Sequence, residues 1–212
     1  TEKRRDSDPR NKFEVIQDLK NESVDAYPNI IPNHLLETDG LYNDDAKIFP
    51  FGGISNKTIV LGNENNYWVT YQSDEHGFNN DKGLYNSEKI DIAMIGGSFT
   101  EGVAVHNKDQ IHSLIKSFGL EIINFGRSGS GPLIEYAIFK EYVVNLKQKI
   151  VLWVFYEGND FQTLNDEIKS KFLMQYLSND EFSQNLINKQ NIIDNSLISF
   201  SKEQESKYLN KK

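Results

Sequence analysis

The sequence predicts an α/β fold built on a parallel sheet, and three observations carry that prediction. Apolar runs of strand length recur at 90–95, 121–125 and 150–155. The two intervals between them, about 108–118 and 133–146, have helical character. A loop follows each run: Gly96-Gly97-Ser98-Phe99-Thr100-Glu101-Gly102, then Asn124-Phe125-Gly126-Arg127-Ser128-Gly129-Ser130-Gly131-Pro132, then Gly158-Asn159-Asp160. Strands that alternate with helices form right-handed βαβ units. Open sheets of that kind hold their ligands beyond the carboxyl ends of the strands.

The elements are justified in chain order. Residues 1–86 read as an accessory N-terminal layer, irregular in pattern, with a charged start and prolines at 9, 28, 32 and 50. Within it, Lys57-Thr58-Ile59-Val60-Leu61 and Tyr67-Trp68-Val69-Thr70-Tyr71 are rich in β-formers and flank the turn-prone Gly62-Asn63-Glu64-Asn65-Asn66, which predicts a hairpin. Residues 87–200 read as the α/β domain. Its 133–146 segment lacks Gly and Pro and is apolar on most faces, as a well-buried helix requires. After the third strand, Phe161, Leu164, Ile168 and Phe172 recur at helical spacing. Ser178-Asn179-Asp180-Glu181 has the capping-box form and predicts a further helix carrying Phe182 and Leu186. Residues 201–212 are polar and charged and are expected to fray.

Composition narrows the function. The 212 residues are 38% hydrophobic, 25% charged and 12% aromatic, the profile of a folded domain with a sizeable core. A net charge of −8 and the absence of a dense Lys/Arg block argue against nucleic acid as a partner. There is no cysteine, hence no disulfide framework, thiolate nucleophile or Cys-based metal site. No apolar stretch approaches the roughly 18 residues of a membrane helix, and no signal peptide opens the chain. Because the chain opens at Thr1 rather than Met, the missing targeting segment carries no weight.

Ser98, Gly129 and Asn159 are the candidate site residues, each on the loop after a predicted strand. Ser98 stands between a strand and a helix, where the helix dipole favours an oxyanion. Its plain alternative is a capping box with Glu101. Gly129 offers a backbone N–H, or is only a turn glycine with positive φ. Asn159 offers a carboxamide donor to a developing oxyanion, or only caps the helix near Phe161. Rival motifs fail. Position 100 is Thr, so no G-x-S-x-G elbow surrounds Ser98. Gly126, Gly129 and Gly131 have the wrong order for a dinucleotide fingerprint, and no Gly-Lys-Ser/Thr follows.

These three loops resemble the sequence blocks of the SGNH (GDSL-type) hydrolases, in the order that family has them, over about 90–160. The resemblance implies a flavodoxin-like three-layer α/β/α sandwich with about five parallel strands. It also implies Ser98 as nucleophile, with Gly129 and Asn159 as oxyanion donors and no cofactor or metal. The expected activity is hydrolysis of small acyl esters, acetyl included, on small molecules or carbohydrate, or transfer of such a group. The alternative is an impaired, non-catalytic carbohydrate-binding or polysaccharide-assembly protein, or an O-acyltransferase partner. More loosely, 25–32 and 71–79 resemble members from bacterial cell-envelope polysaccharide clusters, which implies the cell envelope or periplasm.

Two departures matter. Gly97 stands where the family has aspartate, and no Asp-x-x-His block follows the third strand. Asp109-Gln110-Ile111-His112 fits the letters, but a continuous helix would put His112 about 21 Å and His106 about 12 Å along the axis from Ser98. His34 and His76 lie in the N-terminal layer. With only three core strands as well, the expectation is a chain incomplete at its C-terminus, feeble or inactive alone.

Overall fold

Each apolar run identified in the sequence becomes a strand, and the computed structural model describes residues 8–43 and 46–209. The N-terminal strands are β1 (Ala26–Pro28), β2 (Leu41–Asn43), β3 (Ala46–Ile48), β4 (Thr58–Gly62) and β5 (Val69–Gln72). They are followed by β6 (Ile90–Gly96), β7 (Ile122–Asn124) and β8 (Gln148–Val154). The last three make a parallel sheet in the order β7-β6-β8. Its register sets Ile92 beside both Ile122 and Ile150 and Gly96 beside Val154, so all three strands end along one margin.

The N-terminal layer is more regular than its sequence suggests. The predicted hairpin is present as β4 and β5, antiparallel with a register shift between Val60 and Gly62. Strand β1 adds to it in parallel, and β2 pairs with β3. A helix the sequence reading missed, α1 (Lys12–Asn21), opens on a full capping box: Asn11 accepts from the N–H groups of Phe13 and Glu14, and Glu14 accepts from Asn11 N. Its apolar stripe is narrow: of its residues only Val15 and Ile16 are buried, and these pack on Ala26 and Val60.

Three expectations in the α/β part require correction. The 108–118 segment is a 3₁₀ turn at Asn107–Asp109 followed by α3 (Ile111–Ser117); α2 before it is the single turn Ser98–Glu101, closed by Gly102 at φ 92°. Ser178 ends a helix, α6 (Gln175–Ser178), rather than opening one. The N–H groups of Gln184 (2.5 Å) and Leu186 (2.9 Å) donate to the buried carboxylate of Glu141, and only a 3₁₀ turn, Leu186–Asn188, forms there. Finally, the polar stretch from Ser201 continues α7 (Gln190–Leu209). Tyr208 secures it by accepting from Asn11 Nδ2 at 2.7 Å and stacking on Phe13.

The predicted helix over 133–146 appears as α4 (Pro132–Ile138), which passes into a π-helical stretch, Phe139–Val143. Pro132 occupies its first turn, where no backbone donor is lost. The next helix is α5 (Asp160–Glu167). Residues of both divisions, 1–86 and 87–200, share one hydrophobic core, in which Phe49, Phe51 and Phe78 meet Phe125, Tyr142 and Tyr176. Burying each such ring contributes about 1.5–3 kcal/mol.

The two edges of the parallel sheet differ. On β7, the Asn80 carboxamide donates to Asn124 O (2.9 Å) and accepts from Asn124 N (2.7 Å), a side-chain bridge in place of another strand. On β8, Ile150 is 58% and Trp153 43% exposed, and no strand pairs with the outer edge among the described residues.

Candidate active site

Ser98, Gly129 and Asn159 line one small cavity, together with Phe99, Ser130 and Tyr156. The strand ends explain how three loops far apart in sequence meet: β6 delivers Ser98, the loop after β7 delivers Gly129, and the loop after β8 delivers Asn159.

The plain alternatives can be compared with the geometry. Ser98 makes no capping box; Gly97 holds the N-cap position with no side-chain bond, and the Ser98 hydroxyl has no hydrogen-bond partner among the described residues. Asn159 occupies the N-cap of α5, but its side chain makes no cap bond and is solvent-exposed at the cavity. Gly129 does take the left-handed conformation, φ 71°, that a turn glycine supplies. Its N–H has no partner among the described residues. A Cβ there would stand 2.9 Å from the Ile31 side chain, so the N-terminal layer presses on this turn.

Glu101 and Arg127, two residues with no role in the sequence reading, hold the loops together. Arg127 Nη1 donates to Glu101 Oε1 at 3.1 Å, and both side chains are almost wholly buried. Glu101 also accepts from Ser128 N (2.7 Å), the Ser128 hydroxyl, Asn29 Nδ2 (3.1 Å) and Tyr71 OH (3.4 Å). Arg127 Nη2 donates to Ile30 O at 2.6 Å. A buried ion pair repays its desolvation only with such added hydrogen bonds. The signal in the sequence was a carboxylate and a guanidinium placed inside two glycine-rich loops.

Beneath the site lie three carboxyl groups. Glu135, fully buried on α4, accepts from Trp153 Nε1 at 2.6 Å, and Ser130 Oγ lies 3.5 Å from its other oxygen. Burial pushes it up to about 8, with Asp160 and Glu167 adding repulsion. Glu167 accepts from Gly131, Leu133 and Ile134 N at the start of α4; burial still raises it to about 7. Asp160 accepts from Tyr156 N at 2.6 Å.

None of the four histidines lines the cavity. His112 is buried and its Nδ1 lies 3.0 Å from Asn124 Nδ2; burial lowers it to about 4. The neutral ring therefore accepts from the carboxamide, a packing role. His106 stacks on Tyr67, and His76 packs between Tyr85 and Tyr142 and bonds Gln190. His34 lines a separate cleft of about 430 Å³ with Lys12. The larger clefts contain none of the three site residues, whereas the cavity at Ser98 is about 20 Å³, closed by Phe99 and Tyr156 in edge-to-face contact. That is room for about one water-sized group. Among the described residues no three His, Asp or Glu side chains could hold a metal, and no helix is long and apolar enough to cross a membrane.

No protein-family model, no curated protein and no solved structure matches this chain.

Proposed function

We propose that the chain carries the nucleophile and oxyanion site of a serine esterase of SGNH type, acting on small acyl esters. The observation that carries this reading is the convergence of Ser98, Gly129 and Asn159 on one cavity, with the hydroxyl, the Gly129 N–H and the Asn159 carboxamide all uncommitted to other bonds. Ser98 Oγ attacks the ester carbonyl and the C–O bond to the alcohol breaks, leaving an acyl-serine that water or an acceptor hydroxyl discharges. Gly129 N–H and Asn159 Nδ2 hold the tetrahedral oxyanion, each donor contributing about 10²–10³ in rate. No histidine lines the cavity to take the proton from Ser98; the carboxylate that does line it is Asp160, which accepts from Tyr156 N at 2.6 Å. We extend the reading to the fold: the parallel sheet belongs to an α/β/α sandwich, and the exposed side chains of β8 are the part of it that remains uncovered.

One observation favours a second reading, a non-catalytic carbohydrate-binding or polysaccharide-assembly protein: no histidine stands at the site. A fluorophosphonate probe separates the two. Labelling that disappears in Ser98→Ala supports the esterase; an unlabelled but folded protein supports the binding role.

A further inference from the structure

Away from Ser98, one cleft is lined by a cation that no carboxylate balances. The cleft measures about 430 Å³, is lined from α1, α7 and the chain from the end of β1 onward, and shares no residue with the cavity at Ser98. Lys12 faces it from the first residue of α1. A helix start carries partial positive charge, so a lysine there stands at the unfavourable end of the dipole. Lys12 is also half-buried, a second penalty on its charge.

The neighbouring cations are balanced. Arg10 pairs with Asp8 at 2.6 Å and Asp18 at 2.8 Å, and Lys20 with Glu205 at 3.9 Å. Lys12 has neither a hydrogen bond nor an ion pair among the described residues. The opposite charge that acts on it at longer range is Glu101, already committed to Arg127.

The rest of the lining indicates what would restore the balance. Burial and the Lys12 charge both lower His34, so its ring is neutral at neutral pH and keeps one N–H to donate. Asn33 and Gln204 bring carboxamides with no partner among the described residues, and Phe13, Ile30 and Phe200 supply apolar wall. Glu37 also lines the cleft, is exposed, and pairs with neither Lys12 nor His34. One ammonium, one neutral imidazole and one exposed carboxylate suit a single negative charge; a dianion would meet Glu37 without a second cation to offset it.

We propose that this cleft binds a small organic monoanion, a carboxylate on an apolar body, with the Lys12 ammonium as counter-charge and the His34 and Asn33 side chains as hydrogen-bond donors. The apolar body lies against Phe13 and Phe200, in the usual division of a small-molecule site between apolar wall and a few placed polar groups. The assignment does not rest on the esterase reading.

Benzoate is the probe, benzamide its uncharged counterpart, and inorganic phosphate the competing dianion. Benzoate added to the full chain should shift the ¹⁵N–¹H amide resonances of Lys12, Asn33 and His34 and saturate, with a Kd on the order of 1 mM. Benzamide and phosphate should each bind at least about 10-fold more weakly, and Lys12→Met should weaken benzoate by a similar factor. Without ligand, Lys12→Met should unfold at the same or a higher urea concentration than wild type, because it removes an unbalanced charge. Benzoate should raise the wild-type midpoint and leave that of the variant in place. The proposal is overturned by shifts that do not saturate, by benzamide or phosphate binding as well as benzoate, or by a Lys12→Met protein of wild-type affinity. A variant less stable than wild type without ligand also overturns it, since the ammonium would then be balanced within the chain. Benzoate bound by a protein that fluorophosphonate never labels upholds this site and rejects the esterase reading.

Discussion

The two flanks of the central strand β6 carry similar sequences and end in opposite states. On one side, Ile122 and Ile123 of β7 are buried, and the Asn80 carboxamide fills the bonds of the outermost residue. On the other, Ile150, Val151, Leu152 and Trp153 of β8 all remain more than a third exposed. An apolar run thus specifies a strand but not what covers it. Burial of β7 comes from the hydrophobic core that takes in Ile123 and from α3 packed on the strand, while its edge is sealed by Asn80, itself fixed by Asp74 at 2.8 Å. An open, apolar edge of this length is a pairing surface unless it is covered.

The sharpest attack on this contrast is at the join of the layer to the site. Replacing Arg127 by Leu leaves Glu101 as an uncompensated buried charge, and urea denaturation should register a loss of about 3–5 kcal/mol. Next comes the β7 seal: Asn80→Ala strands the N–H and C=O of Asn124 and should cost about 1–3 kcal/mol by the same measurement. A loss near zero would mean that water replaces the carboxamide at no cost, and the two edges would then be alike.

The flanks also titrate in opposite directions. His112, on the β7 side, has its folded pKa lowered from 6.5 to about 4. The unfolded chain takes that proton first, so the stability due to neutral His112 is complete above 6.5 and is lost as pH falls toward 4. Glu135, on the β8 side, is raised from 4.5 to about 8. Its contribution is complete below 4.5 and is lost as pH rises toward 8. Thermal melts across this range should therefore show His112→Gln flattening the acid limb and Glu135→Gln the alkaline limb. The smallest effect belongs to the open edge: Ile150→Lys should change stability by no more than about 0.5 kcal/mol while reducing self-association in sedimentation.

The three parallel strands and the meeting of Ser98, Gly129 and Asn159 were legible because strand-length apolar runs followed by glycine-rich loops constrain topology strongly. What escaped had weaker local signals. Helix α1 buries only two residues of its own, too few for a visible stripe. The chain after Ser178 has a helix-start pattern, yet Glu141, some forty positions earlier, takes its backbone donors. Glu101 reads as half of a capping box, and only the folded chain brings Arg127, Asn29 and Tyr71 to it. The last two misses are polar groups whose partners are remote in sequence, which periodicity does not encode.

The bond from Asn11 to Tyr208, with Phe13 stacked on the same ring, brings the first helix and the last into register near their outer ends. Asn11 at the start of α1 and Tyr208 near the end of α7 therefore stand side by side although 197 positions separate them, so one bond and one ring contact couple the two helices. Loosening either contact should therefore loosen both helices at once, the last turn of α7 together with the first turn of α1.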